Sequence, residues 1–426
     1  MKKVLIITYY WPPSGGAGVQ RWLKFVKYLR EFGWEPIVYT PENAEMPSLD
    51  NSLIKDVPEG VEVLKTPIWE PYDAYKKLVG QKKEEKINAG FLSENKKPKR
   101  TEKLAVWVRG NFFIPDARKF WIKPSVEYLK NYLKDNPVDV IISTGPPHSM
   151  HLIAKEIKRS LEIKWVADFR DPWTNIDFYK DLMLSNAADK KHKRLEKEVI
   201  QEADVVLSVG ATMGKELTEL GAKRSEVITN GYDIEENVEP VVLDNKFSIA
   251  HIGTMTKSRN PTILWEILSS LAEENEKFKN RLEIKLVGKV DVTVMDSIEK
   301  FNLSSYVRKI KYLPHNEVVL EQRKSHLLLL VINDTPNAKG ILTGKFFEYM
   351  SSGRPTLCIG PNDGDVAEIM RETEAGSVFE SKDGEALKQY ILKSFEGNSA
   401  FKTNSFVEKY SRKLLTKKLV SILDSI

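Results

Sequence analysis

Short apolar runs alternate with longer amphipathic stretches from one end of the chain to the other. Val4–Thr8 reads as a buried strand, and the segment from about Val19 to Phe32 repeats its apolar residues at helical spacing. The same spacing rules predict strands at Ile37–Tyr39, Val61–Leu64, Val138–Ser143, Trp165–Phe169 and Val205–Val209. Helices are expected between them, near 122–135, 149–160 and 187–203. The strands are apolar on both faces, so a parallel sheet covered by helices on either side is the expected architecture.

The pattern lapses between Tyr232 and Lys246, a stretch with five carboxylates, one proline and little periodicity. It reads as a linker between domains. A second series follows, with strands expected at Ser248–Ile252, Glu283–Val287, Lys309–Tyr312, Leu327–Ile332 and Thr356–Ile359. Helices are expected near 261–274, 292–301, 345–352, 364–371 and 384–395. Ser405–Ile426 reads as one amphipathic helix carrying Phe406, Tyr410, Leu414 and Leu419. The expected organisation is therefore an α/β protein with two Rossmann-like domains, 1–233 (with an insertion at 73–121) and 246–404. The C-terminal helix 405–426 would pack back on the first domain. Such halves place the carboxyl ends of their strands toward a cleft, where ligands bind.

A chain of 426 residues suits two domains rather than one core. One cysteine and six histidines exclude a disulfide scaffold and a cysteine-rich metal site, and fit a reducing, cytoplasmic setting. The apolar run Val4–Trp11 stops at Pro12-Pro13, too short to span a membrane. The net charge of +5 is concentrated in one place. Residues 76–103 hold ten basic and four acidic side chains, a net +6, which leaves −1 for the rest. Aromatic residues follow directly: Trp107, Phe112, Phe113, Phe120 and Trp121. A basic, aromatic segment can rest on an anionic bilayer, so 76–121 is a candidate membrane contact. A single basic patch without a recognisable motif gives no support to nucleic-acid binding.

Candidate chemistry lies after the strands. Gly15-Gly16-Ala17-Gly18 follows the first strand and opens a helix, where glycines allow close backbone approach and the helix start favours negative charge. Ser143-Thr144-Gly145-Pro146-Pro147-His148 opens the helix at 149, and His151 lies one turn further on. Asp168-Phe169-Arg170-Asp171 closes a strand with three charges that can orient hydroxyls, move a proton or form a structural ion pair. In the second half, Gly253 begins a loop with Lys257 and Arg259. Gly340 through Tyr349 opens another helix, in which Thr343 and Gly344 offer amides to a phosphate and Lys345 adds a cation. Glu348 lies one turn on, within reach of ribose hydroxyls. Asp363-Gly364-Asp365 fits a helix cap better than a metal site.

At these residues the sequence resembles the retaining family-4 glycosyltransferases of GT-B architecture, over nearly the whole chain. The resemblance is carried by the Gly15–Gly18 loop, Asp168-Phe169-Arg170-Asp171-Pro172-Trp173, Ile228-Thr229-Asn230-Gly231-Tyr232-Asp233, and the Gly344–Glu348 run continuing to Ser352-Gly353-Arg354-Pro355. The stretch from Ile114-Pro115-Asp116 to Trp173 looks like bacterial surface-polysaccharide glycosyltransferases. The resemblance implies a nucleotide-diphosphate sugar as co-substrate, no cofactor and no metal. It also implies a saccharide or lipid-linked saccharide acceptor, and transfer with retained configuration. The family's donor lysine falls on Arg259. Its arginine falls on Thr254, for which Lys257 can compensate. Of its two glutamates eight positions apart, the second is Glu348 and the first falls on Gly340. Donor contacts are implied for Gly15, Gly16, Gly18, Gly253, Tyr312, Leu313, Leu342, Thr343, Gly344 and Lys345. The N-domain histidine of many members falls near Arg170 and Asp171, so these two, with Asp168 and then His148, are the implied catalytic candidates. Two other readings of the same fold are a nucleotide-sugar epimerase and a non-catalytic nucleotide-sugar-binding protein.

Overall fold

The computed structural model describes residues 1–46, 48–71, 100–233, 241–311, 313–397 and 405–426. They form two compact units, Met1–Thr229 with Arg412–Ile426, and Asn230–Ser411. Most of the expected basic segment and donor residue Tyr312 lie outside the described residues.

The first unit is built from β1 (Lys2–Ile7), α1 (Ala17–Leu29), β2 (Trp34–Pro41), β3 (Glu62–Thr66), α2 (Arg100–Phe112), α3 (Lys119–Asp135), β4 (Val140–Gly145), α4 (Ser149–Leu161), β5 (Lys164–Phe169), α5 (Asn186–Glu202), β6 (Val205–Ser208), α6 (Ala211–Glu219) and β7 (Ser225–Val227). Its described strands form one parallel sheet in the order β3-β2-β1-β4-β5-β6-β7. Successive residues of a strand face opposite sides. Leu5 and Ile7 therefore pack on one face with Trp121, Ile153 and Trp165, while Val4 and Ile6 pack on the other with Trp22, Val26 and Leu29. Both faces are buried, which is why these strands read as unbroken apolar runs. The order reverses direction at β1/β4, so the loops after these two strands diverge and open a crevice at their carboxyl ends.

The second unit repeats the plan with β8 (Phe247–Ile252), α7 (Thr262–Glu274), α8 (Glu276–Arg281), β9 (Leu282–Val287), α9 (Val292–Lys300), β10 (Val307–Ile310), α10 (His315–Lys324), β11 (Leu327–Val331), α11 (Gly344–Ser351), β12 (Thr356–Ile359), α12 (Asp365–Thr373), β13 (Gly376–Phe379), α13 (Gly384–Phe395) and α14 (Ser405–Glu408). Its strands are parallel in the order β10-β9-β8-β11-β12-β13, reversing at β8/β11. Leu327, Leu329 and Val331 face one core, and Leu328 and Leu330 the other.

The tail departs from its expected form. It is not one helix but α14 and a separate α15 (Arg412–Asp424). The chain breaks where Ser411 bridges Tyr232 and the Tyr232 hydroxyl donates to the Val407 carbonyl at 3.2 Å. Val407 and Tyr410 are buried in the second unit's core, whereas Leu415, Leu419, Ile422 and Leu423 are buried against α1 in the first. One amphipathic stripe thus serves two cores. Near the end of the segment expected as a linker, Asp244 is tied to Lys285 at 2.6 Å, and residues 234–240 of that segment lie outside the described residues. The strand expected at Lys309–Tyr312 sits at Val307–Ile310.

Candidate functional site

In the first unit the chemistry-bearing loops are drawn together by buried polar contacts. Asp168, at the end of β5, is 0% exposed. Its carboxylate accepts from Arg21 Nη2 at 2.8 Å, Trp22 Nε1 at 2.7 Å and Thr144 Oγ1 at 2.8 Å. Burial alone raises a carboxyl's pKa, but the Arg21 charge and these donors outweigh it and hold Asp168 below its usual range. The carboxylate is buried and bonded to three side chains, which tie α1 and β4 to β5.

Arg170 does similar work one step outward. Its guanidinium donates to the Gly18 carbonyl at 2.8 Å, to that of Gly145 at 3.3 Å, and to that of Pro146. This clamps the first turn of α1 to the end of β4 and the loop after it. A Cβ at Gly18 would lie 2.7 Å from the Arg170 guanidinium, so a side chain there would have to displace it. Gly16 caps α1 without a side chain, and Gly15 donates its N–H to the Ser48 carbonyl at 2.9 Å. Asp171 is exposed, yet desolvation by surrounding protein raises its carboxyl above the usual range against the pull of Arg170.

His148 and His151 are both buried beside Gly145. His148 stacks on Trp173 with ring centres 4.4 Å apart, and His151 stacks on Phe169. Ser143 Oγ, which accepts from Trp165 Nε1 at 2.8 Å, lies 2.8 Å from His151 Nδ1. Burial is the main reason both imidazoles stay neutral: it drives His148 well below its usual value and His151 to about 3. His148 Nδ1 and His151 Nε2 have no hydrogen-bond partner among the described residues.

The second unit leaves positive charge unmatched. Gly253 follows β8 with φ +113°, and a Cβ there would lie 2.5 Å from Lys345 Nζ. Glycine is needed both for the backbone turn and for the room that lysine occupies. Lys345 rises from the first turn of α11, with no hydrogen bond or ion pair among the described residues. Burial and the nearby Arg259 charge lower it to about 8, with only a weak counter-pull from Glu348. Arg259 Nε donates to Asn333 Oδ1 at 2.5 Å. His251, on β8, donates Nδ1–H to the Leu329 carbonyl at 3.0 Å; burial first, then Lys345, lowers it to about 3. The Thr343 hydroxyl at the start of α11 is buried without a hydrogen-bond partner among the described residues, and a Cβ at Gly344 would meet nothing within 4 Å among them. Lys345 beside Gly253, the nearby Arg259 charge and the start of α11 with its Thr343 hydroxyl together make an arrangement suited to an anion with several oxygens.

Other expected donor residues are more scattered. Lys257 is exposed on the turn that carries Arg259. Leu342 is packed into the core and Leu313 lies against it, so any contribution comes from their backbones. Gly15, Gly16 and Gly18 belong to the first unit and the remaining donor residues to the second. Sequence reading missed Arg21, Trp22, His251 and Asn333. The signal for Arg21 and His251 was a polar residue inside an otherwise apolar face, at α1 and at β8.

Residues 90–236 match the family model for Glycosyltransferase Family 4, about a third of the chain. No curated protein matches it in sequence. Among solved structures, the lipopolysaccharide outer core galactosyltransferase WaaB aligns with a TM-score of 0.59 at 12% identity, covering 100% of this chain and 99% of that one. TarM from S. aureus, solved as a point mutant in complex with Fondaparinux, alpha-GlcNAc-glycerol and UDP, aligns with 0.61 at 12% identity, covering 100% of both. A putative UDP-N-acetylglucosamine 2-epimerase from Listeria monocytogenes aligns with 0.55 at 11% identity, covering 100% of this chain and 96% of that one. Two α/β units, each on a parallel sheet, are the GT-B fold these proteins share with this chain, and the family-4 match falls mostly in its first unit.

Proposed function

We propose that this protein is a glycosyltransferase that moves a sugar from a nucleotide-diphosphate donor to a saccharide or lipid-linked saccharide acceptor. The observation that carries the reading is Lys345, a largely buried ammonium with no ion-pair partner among the described residues, held beside Arg259 at a helix start. Buried charge without a partner is costly, and a bound pyrophosphate would remove that cost. Glu348, one turn along α11, is the proposed partner of the ribose hydroxyls. The family-4 match and the fold support the same reading.

In the proposed reaction the bond from the anomeric carbon to phosphate breaks and the bond to the acceptor oxygen forms on the same face. The acceptor's proton passes to the departing phosphate, so no strong protein base is needed. Lys345, Arg259 and the α11 amides stabilise the charge that grows on that phosphate, without a metal. Losing one such donor costs about 3 kcal/mol of barrier, roughly 100-fold or more. Arg170 is a positioning residue in the first unit, where His148 and Asp171 remain the candidates for substrate contact. Incubating the purified protein with nucleotide sugars and oligosaccharide acceptors, with product anomers read by NMR, tests this. The Arg259→Ala/Lys345→Ala double variant should abolish turnover. Wild-type-like turnover in that variant would overturn the assignment. Donor binding without transfer or hydrolysis would instead favour the non-catalytic reading.

The proposed setting is the cytoplasmic face of a membrane, in surface-polysaccharide synthesis. No helix among the described residues is long and apolar enough to cross a membrane. Trp69 and Phe120 are 63% and 42% exposed and pack edge to face at 4.8 Å, and Phe112 and Trp107 form a second exposed pair. Lys119 Nζ lies 5.0 Å from the Phe120 ring centre. These aromatics, next in sequence to the +6 segment, suit an anionic bilayer. Vesicle co-sedimentation should rise with anionic lipid and fall in a Trp69→Ser/Phe120→Ser variant. Indifference to both changes would remove the membrane from the proposal.

A further inference from the structure

We propose that His192 is a positioning residue: through the Trp173 indole it sets the plane against which the His148 ring rests. The inference rests on the glycosyltransferase reading, in which His148 is a candidate for substrate contact. Trp173 and Thr174 belong to the stretch between β5 and the turn at Tyr179–Leu182, where neither helix nor strand fixes the backbone. Side chains of α5 hold it instead.

His192 and Glu196 lie one turn apart on α5, and both are buried. Glu196 accepts from the Thr174 N–H at 3.1 Å and from the Thr174 hydroxyl at 2.6 Å. The Trp173 Nε1–H donates to His192 Nδ1 at 3.1 Å. An indole N–H can only donate, so this bond requires a neutral His192 with its hydrogen on Nε2. Burial, with Lys191 adding to it, lowers the imidazole below its usual value against the pulls of the Gly110 carbonyl, Asp116 and Asp189. Gly110 belongs to α2 and packs so closely that a Cβ there would lie 2.5 Å from the Leu182 carbonyl oxygen. His192 thus has the α2 backbone as one neighbour and the indole as another.

What the indole carries is His148. The two rings stack with centres 4.4 Å apart and planes 2° from parallel. His148 Nδ1 has no hydrogen-bond partner among the described residues, so no bond at that nitrogen orients the ring. His151 differs, because its Nδ1 lies 2.8 Å from Ser143 Oγ. Flat stacking on the indole therefore makes the direction of the free His148 nitrogen depend on the Trp173 plane. The N–H is the indole's single directional group, and His192 is the acceptor that answers it.

Histidine-ring NMR of the full chain, joined to transfer kinetics, tests this. In the wild type the His148 ring protons should lie upfield, shielded by the indole. His192→Phe keeps a flat ring but removes the acceptor. It should move those signals toward unstacked positions and lower kcat roughly tenfold or more, with nucleoside-diphosphate affinity unchanged. His192→Asn puts a carbonyl oxygen near the lost nitrogen and should restore both signals and rate. Trp173→Phe, which keeps an aromatic ring but has no N–H, should match His192→Phe in rate. His148→Ala/His192→Phe should be no slower than His148→Ala alone, because the residues act as one unit. The proposal is overturned if His192→Phe leaves the His148 signals in place, or if folded His192→Asn is as slow as His192→Phe. It is also overturned if the losses in the double variant add, or if His148→Ala or Trp173→Phe turns over like wild type. A wild type that consumes no nucleotide sugar defeats the glycosyltransferase reading, and the His148 signals then decide the His192 placement alone.

Discussion

The two units solve one folding problem twice and treat charge in opposite ways. Each places a glycine-containing loop after a central strand, at the point where the strand order reverses. In the first unit the buried charges are used up internally, Asp168 by Arg21, Trp22 and Thr144, and Arg170 by three carbonyls. In the second, Lys345 is largely enclosed with its charge unmatched beside Arg259. Equivalent backbone therefore serves as a rigid frame in one unit and as a prepared anion site in the other. The position of the unmatched charge, rather than the fold, says where a diphosphate would go.

Removing a charge should accordingly have opposite effects in the two units. Asp168→Ala leaves Arg21 buried without its partner and should cost about 3–5 kcal/mol of stability, read as a lowered urea midpoint. The Arg21→Met/Asp168→Leu pair should recover most of that loss. A mild effect of Asp168→Ala would mean that the first unit's charges are not interdependent.

Lys345→Met removes an unmatched charge. It should weaken nucleoside-diphosphate binding by roughly 100-fold yet raise the stability of the ligand-free protein by roughly 1 kcal/mol. Equal destabilisation by Lys345→Met and Asp168→Ala would erase the contrast. Next in size is an acid limb. His151 is neutral in the folded chain with a value of about 3, so the unfolded chain binds its proton first as pH falls. Its stabilising contribution is complete above about pH 6.5 and declines toward pH 3, amounting to about 2 kcal/mol lost by pH 5. Thermal unfolding of His151→Gln should show a correspondingly shallower acid slope than wild type. His251, also at about 3, should keep part of the slope in that variant.

The smallest effect sharpens the second unit's side. Lys345 loses its proton above about pH 8, so diphosphate affinity should fall up to tenfold by pH 9. Lys345→Arg stays charged and should show a flat profile over that range. A flat wild-type profile would remove Lys345 from the binding site.

The doubled α/β architecture was legible because strands buried on both faces leave unbroken apolar runs, as in Val4–Ile7 and Leu327–Val331. Short edge strands such as Ser225–Val227 and Gly376–Phe379 were not, since so few residues carry no period. The tail misled because the apolar stripe expected of one helix is divided between two cores, a division that only tertiary contacts reveal. Lys345, Arg259 and Gly253 could be named from loop position and charge. Whether a charge is already answered depends on distant partners, and here the sequence was ambiguous. Asp168 looked available until Arg21, 147 positions away, was found on it. Arg170 likewise could not be separated from a substrate-facing arginine until its carbonyl partners were known.

The central claim concerns the pair Lys345 and Arg259. Titration calorimetry of the full-length protein with a panel of nucleoside diphosphates and with inorganic pyrophosphate, at pH 7, addresses it most directly. The account predicts that at least one of these ligands binds the wild type and that Lys345→Ala and Arg259→Ala each weaken it by roughly 100-fold. Unchanged affinity in both variants, or no binding by any member of the panel, contradicts it.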